Sequence, residues 1–553
     1  MQLLYAVSMA TLTLSTSHAV AASGAPAGKK AVVAAGGGGA LPMSREALFD
    51  LGPEEDKLAK PGSEPPPGRD ALFGLEGKAS GSAEGVGRGT PAAEAGTRQP
   101  KPAEQESREA LFGLEPKGEK AVSSASRQAL PADAGTGPKA DAVATRWQGH
   151  ALTRLAYTYG RPDHWSRLAG RLELAGRGRL GGGLQWKMSG RLDYDAVYDL
   201  NDHYQSAVRN DQRLEFQLRE TYLDLPAGDW EWRIGRQHVV WGEMVGLFFA
   251  DVVSAKDMRE FILPDFESLR IPQWAVRGEY YRDDWHAELL WIPYPSYDKL
   301  GRPADFSQPG RGADFYPYPA SPPGIPVIRG EVKPSRSLAH TNYGARLSRL
   351  IQGWDFSGFF YSSMNSAPTL YRDPVLPSVP QVHTFTPRHD RIRQVGGTLA
   401  KDLVDYVLKA EMVYTQGRRY NVVNSTDSDG VVKQNNLDWV VGLDFNPDAD
   451  TRLNAQVFQR VFFDHHPDIV PDRYENGLSL LANRKLSGNW EAEALLIHSL
   501  NRSDWLLRTK ASWKARPDLR LSVGLDVFGG PPTGLFGQYD KQDRVYADLR
   551  YDF

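Results

Sequence analysis

Arg544-Val545-Tyr546-Ala547-Asp548-Leu549-Arg550-Tyr551-Asp552-Phe553 closes the chain, and its pattern decides the fold. Val545, Ala547, Leu549, Tyr551 and Phe553 fall on one side of an extended backbone; Arg544, Tyr546, Asp548, Arg550 and Asp552 fall on the other. A side-chain period of two marks a strand with one apolar and one polar face. Further back, Leu519, Leu521, Val523, Leu525 and Val527 alternate with Arg520, Ser522, Gly524 and Asp526. Leu214, Phe216 and Leu218 alternate in the same way with Arg213, Glu215, Gln217 and Arg219. A soluble sandwich turns such an apolar face into its core, whereas a membrane barrel turns it toward lipid. Alternation alone does not separate them.

Connection lengths do. Alternating segments recur near 148–158, 166–176, 182–196, 212–224, 229–240, 271–282, 284–294, 339–350, 354–364, 388–400, 403–416, 436–445, 450–463, 475–486, 488–499, 503–515, 517–527 and 543–553. That makes about 18 strands, 16 being the other even count the spacing allows, each of the length a tilted strand needs to cross a bilayer. Counted from a periplasmic N-terminus, the connections after even strands are nearly all short: Pro226-Ala227-Gly228, Asp283-Asp284, Gln352-Gly353, Asn446-Pro447-Asp448, Ser487-Gly488 and Arg516-Pro517. Those after odd strands are mostly long, at 197–211, 241–270, 295–338, 365–387, 417–435, 464–474 and 528–542. A sandwich has no reason to sort loops by parity, and a transmembrane barrel does. The expected fold is all-β, a transmembrane antiparallel β-barrel over 147–553. Trp230, Trp285, Trp354, Trp490 and Trp505, at strand ends, suit interfacial girdles. Leu549, Tyr551 and Phe553 resemble the C-terminal signal of outer-membrane barrels, which implies the barrel-assembly machinery and outer-membrane lipid as partners.

Composition agrees. With Lys+Arg 65 against Asp+Glu 68, the chain lacks the basic surplus of a nucleic-acid binder, so no nucleic acid is expected. Zero cysteine removes disulfides, thiolate metal sites and Cys nucleophiles together. Every Trp, and every Tyr except Tyr5, lies at Trp147 or later, so the chain has two unlike parts. Residues 1–21 read as a secretory signal peptide, with an apolar run from Leu3 to Leu14 and Ala19-Val20-Ala21 for cleavage, although the start carries no Lys or Arg. Residues 22–146 are rich in Ala, Gly and Pro with little to bury, and are expected to be a disordered periplasmic tail.

That tail repeats a motif. Arg45-Glu46-Ala47-Leu48-Phe49-Asp50-Leu51 returns as Arg69-Asp70-Ala71-Leu72-Phe73-Gly74-Leu75 and as Arg108-Glu109-Ala110-Leu111-Phe112-Gly113-Leu114, with a worn copy at Arg127-Gln128-Ala129-Leu130. Unequal spacing rules out a solenoid. One helical turn showing Arg, Leu and Phe suits docking in a groove, and several copies on one chain raise the effective concentration at a partner. A periplasmic or inner-membrane export partner is expected there.

The stretch Trp241-Gly242-Glu243-Met244-Val245-Gly246-Leu247-Phe248-Phe249, continuing through Asp251-Val252-Val253 and Lys256-Asp257-Met258-Arg259, breaks the alternation. It is too apolar for a solvated loop, so it is expected to fold into the lumen, burying Leu247, Phe248 and Phe249; the other reading is an external loop with local helices. Gly235-Arg236-Gln237 followed by Trp241-Gly242-Glu243 and this stretch resembles the DUF1302 family of outer-membrane proteins, most strongly over 229–295. The sequence departs from the family at Ser254-Ala255-Lys256-Asp257 and in its repeat-bearing tail. The resemblance implies a large barrel that passes hydrophobic or lipid-like molecules together with an inner-membrane exporter.

No catalytic arrangement emerges: there is no Gly-x-Ser-x-Gly elbow, no His-Glu-x-x-His and no phosphate loop. Asp464-His465-His466-Pro467-Asp468 reads as a solvated turn, and no cofactor or metal is expected. What remains is a lumen. Arg213, Arg219 and Arg233 with Glu215 and Glu231, and Arg391 with Arg393, are placed on inward polar faces, with Glu243 in the constriction. Facing rows of opposite charge would filter solutes by charge; equally, they could pair and stiffen the wall. The expected function is an outer-membrane channel or transporter, constricted by the inward segment and coupled to a partner through the tail. The alternatives are a scaffold that displays the tail and a general porin.

Overall fold

The computed structural model describes residues 145–242, 244, 248–305, 311–374, 382–424 and 426–553. The expected signal peptide, the tail motifs at Arg45, Leu48, Phe49, Arg69, Leu72, Phe73, Arg108, Leu111 and Phe112, and also Glu243 and Leu247, lie outside the described residues.

An 18-stranded antiparallel sheet forms the wall. Its strands are β1 (Arg146–Thr158), β2 (His164–Gly181), β3 (Leu184–Asp195), β4 (Leu214–Ala227), β5 (Trp230–Gln237), β6 (Gln273–Arg282), β7 (Trp285–Tyr294), β8 (Asn342–Ile351), β9 (Trp354–Met364), β10 (Arg391–Asp402), β11 (Tyr406–Asn421), β12 (Val431–Asp448), β13 (Thr451–Phe463), β14 (Tyr474–Lys485), β15 (Trp490–Ser499), β16 (Asp504–Arg516), β17 (Leu519–Gly529) and β18 (Arg544–Asp552). Each pairs with the next, and β1 pairs with β18 in the register Thr153↔Leu549, so the sheet has no free edge. Closure is what allows a sheet to sit in lipid, because every backbone N–H and C=O of the wall finds a partner within it.

The sense of the alternation settles the environment. On β17, Leu521, Val523 and Leu525 are exposed at 39%, 52% and 43%, whereas Ser522 and Asp526 are buried. On β18, Val545 and Tyr551 are exposed while Arg544 and Tyr546 are buried. On β4, Leu214 and Phe216 are exposed and Gln217 and Arg219 buried. Apolar side chains out and polar ones in is the reverse of a water-soluble core, and it describes a transmembrane barrel.

At the seam, Arg154 and Asp548 pair at 2.8 Å on the inner face, and Phe553 exchanges backbone hydrogen bonds with Gly149 at 2.8 and 2.9 Å. A Cβ on Gly149 would lie 2.8 Å from the Phe553 ring, so glycine is what lets the terminal aromatic lie flat against β1. Aromatics collect at strand ends: Trp230 against Trp232 at 5.5 Å, Trp354 against Phe356 at 5.9 Å, Trp490 against Trp513 at 6.0 Å. Trp230, Trp285, Trp354 and Trp490 open strands that follow short turns, while Trp505 stands at the opposite, long-loop end.

The connections after even strands are 182–183, 228–229, 283–284, 352–353, 403–405, 449–450, 486–489 and 517–518, and the longest after odd strands are 238–272, 295–341 and 365–390. Several boundaries differ from the sequence reading, among them the end of β2, which runs on to Gly181 rather than 176. β11 and β12 run on to Asn421 and back from Val431, shortening their loop to 422–430, because the pair absorbs a bulge between Thr415 and Arg418 and continues. β5 stops at Gln237 rather than near 240. Gly235 sits at φ 135°, where a Cβ would lie 2.3 Å from the Thr221 carbonyl oxygen. Beyond it the Gln237 amide donates to the Arg233 and Ala275 carbonyls, and the chain leaves the wall.

Candidate functional site

The segment between β5 and β6 lies within the barrel and meets both sides of it. Val239, Trp241, Ala250 and Val253 form one apolar cluster with Ala275, Leu290, Ile292, Phe359, Tyr361 and Val413, which point inward from β6, β7, β9 and β11. Phe261 and Leu263 join a second cluster with Ile497, Leu506 and Phe528 of β15, β16 and β17, together with Phe315, Phe536 and Tyr539 from two long loops. The interior wall is thus apolar where the segment rests. Burying those faces against each other stabilises the arrangement by about 25 cal/mol for each Å² of apolar area removed from water.

Polar groups fix its path. Glu411, buried on β11, accepts hydrogen bonds from the Met244 and Ala250 backbone N–H groups at 3.0 and 2.8 Å. The Trp241 indole donates to Glu288 of β7 at 3.0 Å. On the far side, Arg508 of β16 donates to the Ile262 and Leu263 carbonyls, and Glu260 pairs with Arg544 at 3.0 Å and Arg167 at 3.4 Å. Burial alone would push the Glu260 carboxyl up, but the guanidiniums of Arg167, Arg544 and Arg154 outweigh it and hold it well below the ordinary carboxylate range. Returning toward β6, the segment pairs Arg270 with its own Asp251 at 2.8 Å. Phe261 adopts φ 51°, uncommon for a side chain of its size, and its ring is held 4.9 Å from that of Tyr539.

Several expected lumen groups take part. Arg219, buried on β4, donates to the Arg270 and Glu267 carbonyls at 2.9 and 2.7 Å, and Glu215 accepts from Arg259 at 2.5 Å and also from Lys299. Phe248 packs edge-on against Phe266 at 4.4 Å and Phe249 approaches Phe458 at 5.6 Å. Arg233 faces inward but far from the segment, bound to Asp224 at 2.6 Å near the short-turn end, where Glu231 is exposed. Two placements are corrected. Arg213 follows a short helix in the 196–213 loop and pairs with the exposed Asp199 at 3.3 Å, because the strand begins only at Leu214. On β10, Ile392 and Gln394 are the buried pair; Arg393 shares the exposed parity of Val395, and Arg391 donates to the Thr341 and Ala339 carbonyls of a loop. Polar residues can face outward there because that end of the strand belongs to the long-loop rim.

Space remains on both sides of the crossing. Toward the long loops lies a cavity of about 640 Å³ bounded by Phe248, Phe249, Val252, Met258, Phe261 and Ile262 of the segment, and by Arg418, Asp438, Arg460, Phe458, Ile497 and Arg502. On the other side a smaller one, about 110 Å³, is lined by Leu263, Asp265 and Phe266 with the cations Arg154, Arg508, Lys510, Arg520 and Arg550. The clamp residues Glu288, Glu411 and Arg508 were not identified in the sequence. They sit at ordinary inward positions of distant strands, and only barrel closure brings them to residues 241–263.

The model of a family described as "Protein of unknown function (DUF1302)" matches residues 165–459. No curated protein matches the chain. Among solved structures, Acinetobacter baumannii OccAB4 is similar at 10% identity and TM-score 0.43, covering 74% of this chain and 98% of its own. Pseudomonas aeruginosa OccK2 (OpdF), solved with glucuronate, gives 10%, 0.43, 74% and 98%. Salmonella typhi OmpF, solved with daunomycin, gives 10%, 0.35, 74% and 97%. The family match spans more than half of the sequence and includes β5, the inward segment and the wall residues Glu288 and Glu411 that hold its first half: the chain belongs to the DUF1302 family.

Proposed function

We propose that the protein is an outer-membrane channel in which residues 241–270 form a constriction, and that the solute it passes is amphipathic or lipid-like. The observation carrying this reading is that one segment packs on opposite walls, Trp241 against Phe359 and Tyr361 on one side and Phe261 beside Phe528 on the other. A segment tethered at both sides divides the interior. The cavity above it joins phenyl and aliphatic groups from the segment to guanidiniums of the wall, a surface that suits a molecule with an apolar body and an anionic end. No chemical step is assigned. The N-terminal tail lies in the periplasm in this reading, and its Arg-acidic-Ala-Leu-Phe copies recruit an export partner.

The test is single-channel conductance of the purified protein in a planar bilayer, with and without residues 241–270. Silence in the intact protein and large steps after the deletion support a constricted conduit. Stable open steps in the intact protein would replace it with a general porin, and silence in both would favour a scaffold that displays the tail.

A further inference from the structure

A second cluster, at the long-loop rim and made of residues outside the inward segment, brings three chain segments together. His164 opens β2, His203 belongs to the 196–213 loop, and Asp314 to the 295–341 loop. One ligating atom from each lies within 4.8 Å of the others. We propose that His164, His203 and Asp314 form a site for a divalent transition-metal ion of the Zn²⁺ type, which staples both loops to the barrel rim.

Hydrogen bonding carries the argument. His164 Nδ1 lies 2.9 Å from the Pro162 carbonyl oxygen, which can only accept, so Nδ1 bears the proton. In the neutral ring Nε2 is then a lone pair, and it faces Asp314 Oδ1 at 3.2 Å. Two lone pairs at that distance require a cation between them. A proton would serve that pair alone, but the site holds more. The His203 ring stacks on His164 with centroids 3.7 Å apart and planes 6° from parallel, bringing a second imidazole nitrogen to the same place. Asp314 is also oriented: the Tyr204 hydroxyl donates to Oδ2 at 2.8 Å, leaving Oδ1 for the ion.

Two imidazoles and a carboxylate, with His164 and Asp314 each steadied by an outer hydrogen bond, match the donor set of a zinc-type site with a position left for water. Donors around Zn²⁺ lie about 3.3 Å apart, so from a spacing within 4.8 Å His203 must tilt out of its stack by up to about 1.5 Å for its lone pair to converge. The adjoining cavity is lined by Asp163 and Asp202 as well as Arg311, so two further carboxylates stand against one guanidinium. Sequence reading missed this cluster because its members are far apart in the chain and none falls in a spaced motif.

The experiment titrates tag-free, chelator-stripped full-length protein in detergent with Zn²⁺ by calorimetry, and follows protease cleavage of the 196–213 loop with and without the ion. The expected result is one ion per chain, protection of the loop, and binding at least ~100-fold weaker in His203→Ala, as loss of one ligand of three predicts. His466→Ala, in the 464–473 loop, should bind as the wild type does. His203→Gln serves if His203→Ala does not fold, with folding judged by heat-modifiable migration on a gel. No zinc bound by the wild type, or binding that the His203 variant leaves within about threefold, would overturn the proposal and leave His164 and Asp314 as a proton-shared pair.

Discussion

Replacing Glu411 by glutamine probes the tether between wall and segment at its most buried point. The carboxylate, 3% exposed, receives the Met244 and Ala250 N–H groups at 3.0 and 2.8 Å. Glutamine keeps one accepting oxygen and turns an NH₂ donor toward the other N–H. The loss of one charge-assisted hydrogen bond costs about 1.5–3 kcal/mol, and a buried donor facing a donor costs about 1–3 kcal/mol more. The sum, about 2.5–6 kcal/mol, corresponds to a shift of about two to four decades in the docking equilibrium of the segment at Met244 and Ala250, at about 1.4 kcal/mol per decade. Residues 258–263 keep their own clamp, Arg508 to the Ile262 and Leu263 carbonyls, so release is partial. Single-channel recording of Glu411→Gln should therefore show brief openings at least ~100-fold more often than the wild type, with barrel integrity verified by heat-modifiable migration. A recording indistinguishable from wild type would refute the reasoning that this carboxylate holds the segment.

Three more outcomes are expected. Val523→Arg, on the lipid-facing side of β17 at 52% exposure, should destabilise the barrel in vesicles by about 2–4 kcal/mol in urea unfolding; an unchanged midpoint would place Val523 outside the hydrocarbon layer. Glu260 has its carboxyl depressed by Arg167, Arg544 and Arg154, so its contribution is fully present above the unfolded value near ~4.3 and is lost only as pH falls through the depressed folded value. Conductance should accordingly be flat from about pH 5 to 8 and change only well below ~4, and Glu260→Gln should open the channel at neutral pH; a wild-type transition near pH 6 would contradict this. Changing Leu48, Phe49, Leu72, Phe73, Leu111 and Phe112 together to Ala should abolish recovery of a periplasmic partner by crosslinking, and unchanged recovery would sink the docking reading.

The barrel was legible in the sequence because membrane strands carry their environment locally. A period of two between Val545 and Phe553, sharp turns such as Asp283-Asp284, and long loops only on the other parity follow from lipid outside and water at both rims. Each depends on neighbours along the chain. The apolar, non-alternating run from Trp241 could likewise be recognised as unsuited to solvent. Its partners could not, because Glu411, Arg508 and Phe528 lie far along the chain on strands whose inward positions look alike until the register places them. The same limit explains Arg213 and Arg393, where parity was extended past the point at which a strand becomes rim. It also explains the meeting of His164, His203 and Asp314, which are drawn together only by loops folding over the mouth. Strand, turn and the lipid-facing or inward parity of a strand are properties of a few consecutive residues and were settled by sequence; what crosses the lumen, what holds it and what gathers at the rim depend on long-range closure, and only the tertiary structure decided them.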